Sequence, residues 1–174
     1  MLRGRLASTR FIPRVYFVDD LNEIDRRLLA VCICARFPIL LTHSPSVFSM
    51  RRLHVLLVED DDDIRALYCY MLASAGYKVS AVRNGLEAFA EIQVYRPDVV
   101  VTDITMPVLS GLDLIVAVRS DDELADLPVV AMTSCGENLR EEARAAGATY
   151  SIDKPTELAR MREVIDAAVS SPRL

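Results

Sequence analysis

From residue 53 onward the chain alternates between two hydrophobic periods. Short apolar runs recur at residues 53–58, 77–82, 99–103, 127–133 and 148–152, and each is followed by a stretch with apolar residues three and four apart. The β-branched run Val99, Val100, Val101 has no polar alternation, which suits a strand covered on both faces, as in a parallel sheet between helices. The intervening stretches carry helix boundaries. Ile64, Leu67, Tyr68, Met71 and Leu72 recur at helical spacing, and Gly76 closes that helix. Asn84 with Glu87 three residues on is a capping-box arrangement, and the helix it opens must end before Pro97. Leu112, Ile115, Val116 and Arg119 belong to a helix after Gly111, and residues 137–146 to one stopped by Gly147. Leu158, Met161, Ile165 and Val169 share one face of a last helix after Pro155. Five strands alternating with five helices predict right-handed crossovers and an α/β fold, a doubly wound parallel sheet with helices on both faces.

Polar residues collect where the apolar runs stop. Asp103 ends the third run, and Pro107 and Gly111 force residues 104–111 out of the sheet as an irregular connection. Glu59 and Asp60 end the first run, Thr133 ends the fourth, and Lys154 follows the fifth. The carboxyl edge of an open parallel sheet is where ligands bind.

Residues 1–49 show no clear period. Residues 15–18 read as a strand and 21–35 as a helix, while Pro38, Pro45 and the Ser-rich stretch 44–49 read as linker. Met50 precedes Arg51, Arg52 and the first strand, so it is a candidate natural start with residues 1–49 as an upstream extension; the alternative is a small docking arm. Residues 50–174 form the domain that carries the chemistry.

Composition fits that division. A chain of 174 residues, 52% apolar and 26% charged, accommodates one soluble globular domain with an appendage. A domain of this size buries roughly two-thirds of its unfolded surface. Residues 1–52 hold 9 Arg against 4 acids, net +5, whereas residues 53–174 hold 11 Lys or Arg against 21 acids, net −10. So acidic a body repels phosphate backbones, which argues against direct nucleic-acid binding and favours small cations and basic partner surfaces. Cys32, Cys34, Cys69 and Cys135 lack the paired spacing of a zinc site and read as buried or incidental thiols. The apolar stretch 28–41 contains Arg36 and Pro38 and is too short to span a membrane, and no cleavage site follows it. The expected location is the cytoplasm, with no membrane partner.

Taken together, Glu59 and Asp60 after strand one, Asp103 after strand three, Met106 and Pro107 with Gly111 in the loop, Thr133 after strand four, and Lys154 with Pro155 after strand five resemble the receiver domain of bacterial two-component response regulators. The resemblance covers residues 53–170, about two-thirds of the chain. It implies a flavodoxin-like strand order of 2-1-3-4-5, which would set strands one and three side by side and gather Glu59, Asp60 and Asp103 around one crevice.

Three carboxylates brought together cannot all stay ionised without a counter-ion, and a hard divalent cation with oxygen ligands, Mg²⁺ above all, answers that need. The resemblance implies Asp60 and Asp103 as direct ligands, Glu59 on a metal-bound water and the Thr105 carbonyl as the last protein ligand. Asp61, Asp62 and Asp63 read instead as a solvated acidic helix start. A calcium loop is excluded, because no Gly follows at the sixth position and no Glu at the twelfth.

The resemblance further implies that Asp103 is a nucleophile accepting a phosphoryl group from the phosphohistidine of a histidine kinase or phosphotransfer protein. Thr133 can donate a hydroxyl hydrogen bond to a phosphoryl oxygen, and Lys154, one of two lysines in the chain, a fixed positive charge. By the same resemblance the Lys154-Pro155 bond is expected to be cis. Only residues 170–174 follow the last helix, so the expected output is protein contact with a downstream target; the resemblance implies that it runs through the fourth helix, fifth strand and fifth helix, here with Arg140, Glu141, Arg144 and Arg162.

One position departs from the family. Three residues before the lysine, where the family often carries Tyr or Phe, stands Ser151; Tyr150, one place earlier, should face the opposite side of a strand. The alternative function is a Mg-dependent aspartyl-phosphate hydrolase with its own substrates. That class wants a general acid two residues after the nucleophile, where Thr105 stands. A flavin-binding protein is a weaker analogy from the fold alone.

Overall fold

The computed structural model describes residues 51–134 and 136–171. The elements, in chain order, are β1 (His54–Val58), α1 (Asp62–Ser74), β2 (Lys78–Val82), α2 (Gly85–Tyr95), β3 (Val99–Asp103), α3 (Gly111–Arg119), β4 (Val129–Thr133), α4 (Glu137–Ala146), β5 (Tyr150–Asp153) and α5 (Leu158–Ser170). The strands form one parallel sheet in the order β2-β1-β3-β4-β5, as the resemblance implied. Residues 1–49, with the strand, helix and linker expected there, and Cys32, Cys34 and Cys135 lie outside the described residues.

Alternation along the strands sends side chains into two cores. Val55, Leu57, Val99, Val101, Val130 and Met132 meet Tyr68 and Leu72 of α1 and Met161 and Ile165 of α5. On the other face Leu56, Val58, Val100, Val129 and Ala131 meet Ala88 and Ile92 of α2, Leu114 and Ile115 of α3 and Ala143 of α4. β1, β3 and β4 are buried along their whole length, which is why they read as unbroken apolar runs.

Helix boundaries follow local chemistry. The Asp61 carboxylate accepts from the amides of Asp63 and Ile64 at 3.0 and 2.9 Å, capping α1. Asn84 accepts from the Glu87 amide at 2.9 Å, while Glu87 reaches back to the Arg83 amide at 3.2 Å. Helical spacing alone does not fix which apolar residues are buried. Ile64, Leu67 and Val116 are exposed, at 38, 56 and 51%, because α1 and α3 turn Tyr68, Leu72, Leu114 and Val118 inward. Val164 and Ala168 complete the buried face of α5 beside Met161 and Ile165. Among the described residues no helix is long and apolar enough to cross a membrane.

Candidate functional site

Strand order reverses between β1 and β3, so the chain leaves their carboxyl ends in opposite directions and opens a crevice there. Glu59 directly follows β1 and Asp103 is the last residue of β3. Thr133 closes β4, and Lys154 directly follows β5. Ladder bonds continue past the strand ends and fix these positions: the Glu59 amide donates to the Val82 carbonyl at 3.1 Å, Ile104 to Met132 at 3.1 Å and Lys154 to Thr133 at 2.6 Å. The Lys154-Pro155 bond is cis, as expected.

The loop after Asp103 turns on Gly111. A Cβ there would lie 2.0 Å from the Asp103 carbonyl oxygen, so only glycine lets the start of α3 pass so close to the strand end. The Gly111 amide also donates to the Ile104 carbonyl at 3.0 Å. Within this loop Val108 takes φ +72°, a left-handed conformation that is strained for a β-branched residue, and its side chain is 77% exposed.

Lys154 joins the acids. Its Nζ lies 2.5 Å from Glu59 Oε2 and 3.0 Å from Asp103 Oδ2, with all three side chains largely buried. Glu59, Asp60 and Asp103 each offer a carboxylate oxygen, all within 4.8 Å of one another. Burial pushes the Glu59 carboxyl above its ordinary value; Lys154 pulls it down through a hydrogen bond and its charge, while Asp103 and Asp60 push it up again. Burial alone would depress the Lys154 ammonium, but hydrogen bonds and charge from Glu59 and Asp103 hold it above the usual lysine value. Three carboxylates against one ammonium leave excess negative charge, and the donors are all hard oxygens. This set fits a small divalent cation such as Mg²⁺.

Of the other expected residues, Thr105 is exposed and its amide donates to Asp103 Oδ1 at 3.3 Å. Thr133 is fully buried, and its hydroxyl donates to Asp153 Oδ1 at 3.3 Å. Asp61, Asp62 and Asp63 are exposed at the start of α1 and stand outside the triad of acids, as expected.

Sequence reasoning missed Arg65. This buried residue of α1 donates from Nη1 to the main-chain carbonyls of Glu59 at 2.9 Å and Asp60 at 3.3 Å, and pairs through Nη2 with Asp62. Its guanidinium thereby ties down the backbone that carries two of the three acids. Its place on the buried face of α1, three residues before Tyr68, was the available signal.

The pattern of the response regulator receiver domain matches residues 55–166. The polar-differentiation response regulator DivK of Brucella anthropi is 36% identical over 112 residues, 64% of this chain and 91% of DivK. The chemotaxis response regulator CheY4 of Vibrio cholerae superposes with a TM-score of 0.63 at 30% identity, over 67% of this chain and 98% of CheY4. The receiver domain of the sensor histidine kinase PA1611 of Pseudomonas aeruginosa, solved with a magnesium ion coordinated in its active-site cleft, has a TM-score of 0.65 at 27% identity, over 69% of this chain and 99% of that one.

Proposed function

Because the chain belongs to the response regulator receiver domain family, we propose that it is a phosphorylation-driven signalling switch that takes one phosphoryl group on Asp103. The observation that carries this reading is the Lys154 ammonium held between Asp103 and Glu59, at 3.0 and 2.5 Å, at the crevice of the sheet. An ammonium fixed there meets the charge of an incoming phosphoryl group without having to reorganise.

In the proposed reaction a carboxylate oxygen of Asp103 attacks the phosphorus of a phosphohistidine on a histidine kinase or phosphotransfer protein. The new O–P bond forms as the N–P bond breaks, and the imidazole nitrogen leaves with the electron pair and takes up a proton. The expected product is an acyl phosphate. Lys154 and the Thr133 hydroxyl are assigned to phosphoryl oxygens. Asp60 and Asp103, with the Thr105 carbonyl, are assigned to hold Mg²⁺ directly and Glu59 to hold it through water. When bound, that ion supplies positive charge against the phosphoryl oxygens.

Receiver domains are phosphoacceptor modules rather than enzymes, and turnover here would be limited to loss of the phosphoryl group to water. A hydrolase acting on separate substrates is disfavoured by Thr105, whose hydroxyl is too weak an acid to serve at the place of a general acid. Partners downstream are proposed to be proteins, and the location the cytoplasm. Residues 50–174 are proposed to suffice for the reaction, since every assigned residue lies after Met50.

Incubation with a small phosphodonor in Mg²⁺ and in chelator tests the reading. Phosphoryl uptake should require the cation and should fall in Asp60→Ala. Equal uptake in chelator would overturn it.

A further inference from the structure

Thr133 is linked by way of Asp153 to the first turn of α4. The Thr133 hydroxyl donates to Asp153 Oδ1 at 3.3 Å, and the two residues are register partners across β4 and β5. The second carboxylate oxygen, Oδ2, lies 3.4 Å from Arg140 Nη1 on α4. Arg140 also reaches Glu137 through Nη2 at 3.4 Å, and its Nε is buried without a hydrogen-bond partner. Two contacts at 3.4 Å and an unpaired nitrogen leave the hydrogen bonding of this guanidinium incomplete.

One hydroxyl proton serves one strong acceptor at a time. A phosphoryl oxygen on Asp103 carries more charge than a half-exposed carboxylate already shared with an arginine, so it is the better acceptor. Ser151, two residues before Asp153 on the same strand face, has almost no apolar surface whose burial could report the change.

We propose that Asp153 is a positioning residue for Thr133. It holds the hydroxyl toward β5 in the unmodified chain; when Thr133 turns to the phosphoryl group, Asp153 keeps only Arg140, and the altered ion pair carries the signal to α4. The proposal rests on the reading of Asp103 as phosphoacceptor. It assigns to a hydroxyl–carboxylate–guanidinium chain the coupling that Ser151 cannot supply.

The test follows the Nε–H resonance of Arg140 in the full chain, identified by its loss in Arg140→Lys, before and after phosphoramidate with Mg²⁺; intact mass reports uptake. The signal should shift on phosphorylation in the wild type, lose most of that shift in Asp153→Ala and Asp153→Asn, and regain it in Asp153→Glu. In the unmodified chain Thr133→Val should already displace the signal, because Asp153 has lost the same donor. Uptake without a shift, an equal shift in both Asp153 variants, or an unmoved signal in Thr133→Val would each overturn the proposal. Absence of uptake in the wild type would sink the phosphoacceptor reading instead, and the Thr133→Val comparison would still decide whether the three side chains are linked.

Discussion

Gly111 and Asp103 approach so closely that a β-carbon on the glycine would stand 2.0 Å from the aspartate's carbonyl oxygen. The contact is with backbone at the end of a buried strand, so no side chain can swing away to relieve it. Gly111→Ala should therefore push β3 and α3 apart at the candidate site residue Asp103. The expected cost is about 1–3 kcal/mol, as for overpacking elsewhere. Denaturant unfolding checks the stability, and Mg²⁺ titration should show weaker binding in the same variant. Unchanged stability and binding would mean that the loop relaxes without moving Asp103.

Arg65 should matter to a cation it never touches. Its guanidinium holds the carbonyls of Glu59 and Asp60 at 2.9 and 3.3 Å, and each charge-assisted bond is worth about 1.5–3 kcal/mol. Arg65→Gln should lower stability by an amount in that range and weaken Mg²⁺ binding on the order of tenfold. Calorimetric titration, run well below the unfolding temperature of the variant, separates the two effects. Wild-type affinity in a folded Arg65→Gln would show that the acidic loop is fixed by other contacts.

Acid sensitivity should come in part from His54, at the far end of β1. Its Nε2 lies 2.8 Å from Ser80 Oγ in the interior; burial first, then the charge of Lys78 and of Arg51, depress its pKa below 6.5, against the opposing pull of Asp98. A depressed value means that the unfolded chain binds the proton more readily than the folded one. Stability from this residue is intact above pH 6.5 and falls as the pH drops from there toward the lowered native value. His54→Gln should flatten that part of the curve of unfolding free energy against pH. An equal slope in both proteins would remove His54 as the cause.

The strands were legible because burial on both faces leaves few polar residues inside β1, β3 or β4, chiefly hydrogen-bonded ones such as His54 and Thr102 and the candidate site residues Asp103 and Thr133. The candidate site residues stood out for the opposite reason: Glu59, Asp103, Thr133 and Lys154 interrupt or end apolar runs. Strand order came from the resemblance, since periodicity alone does not say which strands are neighbours. Ile64, Leu67 and Val116 lie in the helices their spacing predicted yet are exposed, because helical spacing defines stripes but not which stripe meets the sheet. Arg65 and Asp153 escaped notice because an arginine or an aspartate in a helix or at a strand end ordinarily reads as solvated surface. What marks them is their partners, the Glu59 carbonyl and the Thr133 hydroxyl, and those lie in the tertiary structure.

The central claim is that Asp103 is the phosphoacceptor, and intact mass with peptide mapping after treatment with a small phosphodonor and Mg²⁺ tests it most directly. The wild-type chain should gain one phosphoryl group, mapped to Asp103. Asp103→Asn should gain none, and Lys154→Ala should gain it far more slowly, since the ammonium 3.0 Å from the carboxylate is gone. No gain in the wild type, or a gain in Asp103→Asn as fast as in the wild type, would contradict the account.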